Sequence, residues 1–403
     1  MRVVIIGNGP AGITAAKTIR ERDSEIEIEI YAEEKHPYYF RPKLPDLLGG
    51  TVKPSEIYAY SEAWYRQRNI EVHLGISVTQ IVPSDKGVVL ETGESVRYDK
   101  LLLATGSHCF VPPIQGADKS GVFTLRTIDD AVAIKEYAKD KKRAIVIGGG
   151  LLGLETSRAL RSLGLEITVV EFLPRLLPRQ LDEEGASFLK TKMEEMSIQV
   201  VLDAESDEIL GEGGVAGLLL KDERIVNGDV VLISAGVRAN AEIARRAGIA
   251  VNKGVVVDEH MKTNIDDIYA AGDVTEFQER LWGIIPAAVD QAKVAAANIV
   301  GQDEVEYTGT VPYTTLKVVG VDLTSIGIVK PEGEGFKEIR KTKPREGIYK
   351  KLVLQDGYIV GAIFLGDRAD VTPANKIINE KINVAKYANR LLDDDFDLRI
   401  LIP

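Results

Sequence analysis

The chain has 403 residues, 45% of them apolar, with Lys+Arg 50 against Asp+Glu 61 and a formal net charge of −11. At about 100 to 200 residues per domain this length predicts several domains with their own cores, and the acidic balance argues against nucleic acid as a partner because no long-range field would gather phosphates. The single cysteine, Cys109, excludes an intrachain disulfide, a CxxC pair and any Cys-rich metal site, so redox chemistry would have to arrive with a cofactor and no metal is expected.

Met1 runs straight into an apolar strand at 3–6, without the features of a secretory signal. No apolar stretch reaches the length of about 18 residues that spans a bilayer, so a cytoplasmic protein with no membrane partner is expected. After the strand come Gly7-Asn8-Gly9-Pro10-Ala11-Gly12, a helix at 13–22, a second strand at 25–31 and the acidic Glu33. The pattern recurs as a strand at 144–147, Gly148-Gly149-Gly150-Leu151-Leu152-Gly153, a helix at 154–163, a strand at 166–170 and Glu171. From 306 onward the texture turns β-rich, with segments at 316–329 and 349–365, the latter broken by the hairpin signal Gln355-Asp356-Gly357. A helical pattern at 374–392 ends in Asp393-Asp394-Asp395.

Each glycine loop fits a dinucleotide. In a βαβ unit the first glycine makes the tight turn, the second lets backbone N–H groups approach a pyrophosphate, and the third lets helix and strand pack closely. The anion then meets a helix N-terminus, whose unpaired N–H groups and dipole favour negative charge. A glutamate ending the second strand accepts hydrogen bonds from a ribose and repels a 2′-phosphate, so Glu171 favours NADH over NADPH, with Arg175 four residues on as a potential phosphate partner.

Two further segments, Tyr98-Asp99-Lys100-Leu101-Leu102-Leu103-Ala104-Thr105-Gly106-Ser107 and Asn264-Ile265-Asp266-Asp267-Ile268-Tyr269-Ala270-Ala271-Gly272-Asp273-Val274, resemble the flavin-binding signatures of the pyridine nucleotide–disulfide oxidoreductase superfamily. The resemblance covers essentially the whole chain. It implies an α/β fold of two Rossmann-like dinucleotide-binding domains and a small α+β C-terminal domain: FAD-binding at 1–110 and 236–305, NAD(H)-binding at 111–235, and an interface domain at 306–403, which allows a homodimer. Its implied binding residues are Gly7, Gly9, Pro10, Ala11, Gly12, Glu33, Glu34, Arg41, Pro42, Lys43, Ala104, Thr105, Gly106, Gly236, Gly272, Asp273, Pro286, Ala287, Gly148, Gly150, Leu151, Leu152, Gly153, Glu155 and Glu171. Pro286-Ala287-Ala288 would open a helix whose dipole faces the flavin.

Members with a redox cysteine carry it after the second strand, where this chain has Tyr38-Tyr39-Phe40-Arg41-Pro42-Lys43-Leu44-Pro45-Asp46-Leu47-Leu48-Gly49-Gly50 and no sulfur. That stretch resembles the sulfur-free branch: NADH:rubredoxin oxidoreductases, flavin modules of nitrite reductases and oxygenase-coupled ferredoxin reductases. The segments 310–323 and 361–367 lean toward the first two, and Asp46 replaces a lysine common in the third. The resemblance implies hydride transfer from NADH to FAD and single electrons onward to a small acidic carrier such as rubredoxin; the alternatives are an oxidase reducing O2 directly and a flavin subunit of a larger reductase. Lys43 and Glu155 are the expected catalytic residues, paired beside the flavin. Tyr38-Tyr39-Phe40 could shield the flavin edge, and the basic run Arg340-Lys341-Thr342-Lys343-Pro344-Arg345 could dock the carrier.

Overall fold

Runs of β-branched residues bounded by glycine turns form short strands buried on both faces, as a parallel sheet covered by helices requires. The computed structural model describes residues 1–301, 304–318 and 320–402. The parts of the expected domains at 302, 303 and 403, and Val319 of the 310–323 segment, lie outside the described residues. In chain order the elements that position the sites begin with β1 (Arg2–Ile6), α1 (Pro10–Arg22), β2 (Glu27–Ala32), α2 (Leu44–Leu48), β3 (Ile70–Leu74) and β4 (Lys100–Leu103). Then come β5 (Arg143–Ile147), α3 (Leu151–Ser162), β6 (Glu166–Val170), α4 (Glu183–Glu195), β7 (Ile198–Val201) and β8 (Val230–Ile233). The remainder holds β9 (Ile268–Ala270), α5 (Ile285–Val300), β10 (Tyr313–Val318), β11 (Val321–Gly327), β12 (Phe336–Lys343), β13 (Ile348–Gln355), β14 (Tyr358–Leu365) and α6 (Val371–Asn379).

Contacts divide the chain into two compact units, the first comprising Met1–Arg41, Lys53–His108 and Val237–Thr310. Its parallel sheet runs β9-β4-β1-β2-β3, with Ile6 opposite both Tyr31 and Leu103. Helices α1 and α5 pack on one another, burying Ala11, Ala15, Ala16 and Ile19 of one and Ala288, Ala292, Ala295 and Ala296 of the other. Alanines on both faces allow this close approach.

The second unit comprises Pro42–Val52, Cys109–Gly236 and the chain from Val311 on. The segment carrying Lys43 and Asp46 therefore groups with the second glycine loop, although the sequence reading put it in the 1–110 domain. A parallel sheet in the order β7-β6-β5-β8, with Val122–Phe123 at its edge, repeats the first unit's plan. The C-terminal antiparallel sheet runs β10-β11-β14-β13-β12. Its β13–β14 turn has Asp356 at φ +51 and Gly357 at φ +83, the geometry of the expected hairpin. A hairpin at Gly320, φ +82, divides the expected 316–329 segment into β10 and β11.

The helix expected at 374–392 stops at Asn379. Lys381 takes φ +50 and the Asn379 amide donates back to the Asn375 carbonyl, local bonding that competes with helix continuation. Val384 N–H then donates to the Gly357 carbonyl at 2.7 Å, drawing the chain onto the hairpin turn.

Asp182 caps α4 through Gly185 N–H at 3.0 Å and also accepts from Tyr349 Oη at 2.6 Å and Lys351 Nζ at 3.0 Å. Lys351 is 1% exposed at its side chain and reaches Glu338 as well, at 2.8 Å. Such a buried network holds α4 to β13 through groups that cannot be left single without a large desolvation penalty.

Candidate functional site

Both glycine loops have the same construction. Gly9 and Gly150 are the N-caps of α1 and α3, each extended and without a side-chain cap, so the helices begin three residues earlier than the sequence pattern suggests, inside the loops. The first-turn N–H groups are thereby left to an outside acceptor. Gly7 sits at φ +112, and a Cβ on it would fall 2.1 Å from the Ala104 carbonyl oxygen; on Gly12 a Cβ would fall 1.9 Å from the Gly7 oxygen. In the second loop Gly148, at φ +114, faces the Ser234 oxygen at 2.3 Å, and Gly153 faces the Gly148 oxygen at 2.1 Å. A Cβ on Gly9 or Gly150 meets nothing within 4 Å, so these positions open onto free space. Close backbone contact at the first and third glycines and a clear mouth at the second fit a pyrophosphate over each helix.

The equivalence of Ala104 and Ser234 reveals a further repeat that the sequence reading missed. Ala104-Thr105-Gly106 and Ser234-Ala235-Gly236 are the same turn, ending in glycines at φ +69 and φ +101.

In the first unit several of the implied FAD residues contact one another or their neighbours. Gly272, at φ +90, lies against Ala11, where a Cβ would stand 3.0 Å from that side chain, and its N–H donates to Gln291 of α5 at 2.9 Å. Asp273 accepts from Ser107 Oγ at 2.7 Å. Thr105 and Asn240 exchange bonds at 2.8 Å in both directions. Asn8 is paired with Tyr65 Oη; Ser107 closes the first flavin-type signature, whereas Tyr65 carries no sequence motif that would single it out. Pro286 and Ala287 stand in the first turn of α5, Ala287 buried. Glu34 accepts from Arg41 and Tyr39, both at 2.5 Å. Burial would push the Arg41 guanidinium down, but Tyr39, Glu34 and Asp273 hold it above its usual value. Tyr39 is buried, Phe40 is exposed, and Tyr38 packs against Phe40 and Tyr60.

The acidic residues after the second strands differ. Gly7 N–H donates to the Tyr31 carbonyl and Gly148 N–H to that of Val170, so Glu171 corresponds in register to Ala32, with Glu33 one residue further and exposed. Glu171 is 8% exposed. Its Oε2 accepts from Gly149 N–H at 2.5 Å and its Oε1 from Leu173 N–H at 2.7 Å, while Leu177 N–H donates to the Gly149 carbonyl. The carboxylate thus braces the loop that it borders.

Lys43 and Glu155 do not make the expected ion pair. Lys43 lies at the end of the turn Arg41–Lys43, with Pro42 before it; its side chain is 56% exposed and Nζ contacts Asp46 Oδ2 at 3.1 Å. Asp46 Oδ1 accepts from Arg158 Nη2 at 2.7 Å. An aspartate three residues from Lys43 takes up the lysine, whereas Glu155 is half-buried on α3 beyond Leu151 and Leu152. Burial pushes the Glu155 carboxyl up to about 7, with Arg158 and Lys43 opposing and Asp46 reinforcing. Burial also pushes Asp46 up, but the bonds from Arg158 and Lys43 outweigh it and leave its carboxyl below the usual range.

The basic run 340–345 is largely neutralised within the fold. Lys341 and Lys343 both contact Asp394, at 2.7 and 2.8 Å, and Arg340 binds Glu338. The expected dock for an acidic carrier is therefore balanced by the acidic run at 393–395.

The family model for pyridine nucleotide-disulphide oxidoreductases matches residues 1–292. The chain belongs to this family. Membership implies FAD and NAD(P)H as cofactors and an oxidoreductase activity, and the two open helix termini fit both dinucleotides. A second model, the rubredoxin NAD+ reductase C-terminal domain, matches residues 312–382. The chain is 36% identical over 386 residues, 96% of its length, to a nitrite reductase of Bacillus subtilis, of which it spans 48%. It is 33% identical to the NADH-rubredoxin oxidoreductase of Clostridium acetobutylicum, covering 94% of each chain. Among solved structures, a ferredoxin reductase from Rhodopseudomonas palustris superposes with a TM-score of 0.90 at 28% identity, covering 99% of both chains. No helix among the described residues is long and apolar enough to cross a membrane. The family's name notwithstanding, Cys109 is the single cysteine of the sequence.

Proposed function

We propose that this chain is an NADH-dependent flavoprotein that delivers electrons singly to a small carrier protein of the rubredoxin kind. The observation that carries the reading is the rubredoxin reductase-type C-terminal domain at 312–382, joined to full-length similarity with a clostridial NADH-rubredoxin oxidoreductase. When bound, NADH supplies a hydride and FAD accepts it and divides the electron pair. The chain's own residues bind and orient. The N–H groups opening α1 and α3 hold the two pyrophosphates, and the open mouths at Gly9 and Gly150 admit them. The N-terminus of α5, with no acidic residue in its first turn, favours negative charge beside it.

Glu171 supports NADH over NADPH, because its carboxylate borders the second glycine loop, fixed there by two N–H bonds, and would repel a 2′-phosphate. Glu171→Gln keeps the size and removes the charge. It is expected to raise the NADPH-to-NADH ratio of kcat/KM roughly tenfold, a change worth about 1.4 kcal/mol, and steady-state flavin reduction with each dinucleotide checks it. An unchanged ratio would remove Glu171 from cofactor selection.

The reading is tested by following reduction of oxidised rubredoxin with NADH as donor, in parallel with O2 consumption. Rubredoxin reduction that outruns O2 uptake at air saturation supports it; dominant O2 uptake would make the chain an oxidase. A second reading, a flavin module of a nitrite reductase, is favoured by the 36% identity to a protein of which this chain spans about half. Co-purification at fixed stoichiometry with a sirohaem protein would support it.

A further inference from the structure

The cluster around Asp46 departs from a simple lysine–glutamate pair. Asp46 holds Lys43 through one carboxylate oxygen at 3.1 Å and Arg158 through the other at 2.7 Å. Glu155, one helical turn before Arg158 on α3, makes no hydrogen bond or ion pair among the described residues. Among the described residues, both cations that act on Glu155 are thus tied to Asp46.

We propose that Asp46 is a positioning residue that keeps Lys43 and Arg158 off Glu155, so that Glu155 becomes the carboxyl that takes up and returns a solvent proton at the opening of the nicotinamide-binding helix. The inference rests on α3 opening the dinucleotide site and is independent of the electron acceptor. The proton adds to one carboxylate oxygen and leaves from it; no other bond changes.

Physical chemistry favours this division. Asp46 is compact, lies within reach of two cations and is the more readily ionised carboxyl because both hydrogen-bond to its charged form. Glu155, half-buried and without a bonded cation, is held near neutrality by desolvation, with Asp46 as a like charge adding to the effect. The described groups that act on it are Arg158 on its own helix, and Asp46 and Lys43 from the segment 43–46. Arg143 and Glu166 begin β5 and β6, at the sheet end opposite the glycine loop, where α3 finishes.

The test titrates Glu155 in the FAD-loaded protein by its infrared carboxyl bands, identified by their loss in Glu155→Gln. Asp46→Asn retains an acceptor for Arg158 and frees Lys43; the Glu155 midpoint is expected to fall by about one pH unit or more, a tenfold or greater change in proton affinity. Lys43→Met alone is expected to move the midpoint little, because Asp46 already holds that lysine, and in the Asp46→Asn background it should return the midpoint upward. Asp46→Glu should restore wild-type behaviour. The pH profile of flavin bleaching by NADH should shift in parallel. A Glu155 midpoint unmoved in Asp46→Asn, or a wild-type Glu155 fully ionised at pH 6, would overturn the proposal, whatever the outcome with rubredoxin.

Discussion

Gly153→Ala is expected to yield a yellow, FAD-loaded protein that NADH no longer reduces at ordinary concentrations, whereas Gly12→Ala is expected to purify without flavin. In both loops the added Cβ would meet a backbone carbonyl, 2.1 Å from the Gly148 oxygen in one and 1.9 Å from the Gly7 oxygen in the other. Backbone has no rotamer to yield, so the turn must open and the first-turn N–H groups lose their aim. We expect the Kd for NADH to rise at least roughly 100-fold in Gly153→Ala, equivalent to about 2.7 kcal/mol. The companion change separates packing from binding. Gly150 has φ −81 and open space around its missing Cβ, so Gly150→Ala should fold with unchanged stability yet bind NADH more weakly, because the methyl enters the space meant for the dinucleotide. Equilibrium titration with flavin absorbance as the signal checks all three, and normal NADH affinity in Gly153→Ala would contradict the assignment of the second loop.

The largest effect on stability is expected at Asp182. Asp182→Ala removes a helix cap, worth about 1 kcal/mol, and takes a partner from Lys351, whose side chain is 1% exposed. Leaving a buried charge single costs about 3–5 kcal/mol; Lys351 keeps Glu338 at 2.8 Å, so the loss should lie toward or below the lower end of that range. Lys351→Met removes the charge without emptying its volume, and Asp182 keeps Gly185 N–H and Tyr349 Oη, so the loss should be smaller. The sign of the pH dependence follows from the same contacts. Burial pushes the Asp182 carboxyl up, but the bonds from Tyr349, Gly185 and Lys351 overcome it and leave its pKa below the usual value. A depressed carboxylate adds stability that is fully present above its unfolded pKa, about 4, and is lost as pH falls through the lower folded value. Acid unfolding of the wild type should therefore be steeper than that of Asp182→Asn. Urea midpoints of FAD-saturated proteins, measured across pH 3–7, check both points; equal midpoints for Asp182→Ala and wild type would show that the network contributes nothing.

Local chemistry was legible in the sequence and long-range charge pairing was not. Glycine spacing marked both loops because the third glycine of each packs on the carbonyl of the first, five residues earlier, although the carbonyls that crowd Gly7 and Gly148 belong to the distant Ala104 and Ser234. The Asp356-Gly357 hairpin was equally local. Asp182 and Lys351, in contrast, are 169 positions apart, and neither lies in a motif. The Lys43 pairing failed for a different reason: the spacing placed Glu155 on the correct helix but gave no weight to Asp46 as a competitor. The basic run 340–345 looked free because the acidic run at 393–395 that neutralises it was expected at the end of a long helix. That helix stops at Asn379.

The most direct test of the account is an anaerobic one. The FAD-loaded protein is reduced with one equivalent of NADH and mixed rapidly with oxidised rubredoxin, or separately with air-saturated buffer, while flavin absorbance is followed. Fast recovery of the oxidised flavin spectrum is expected with rubredoxin and slow recovery with O2. Slow recovery with rubredoxin, together with fast recovery in air, would contradict the proposed function.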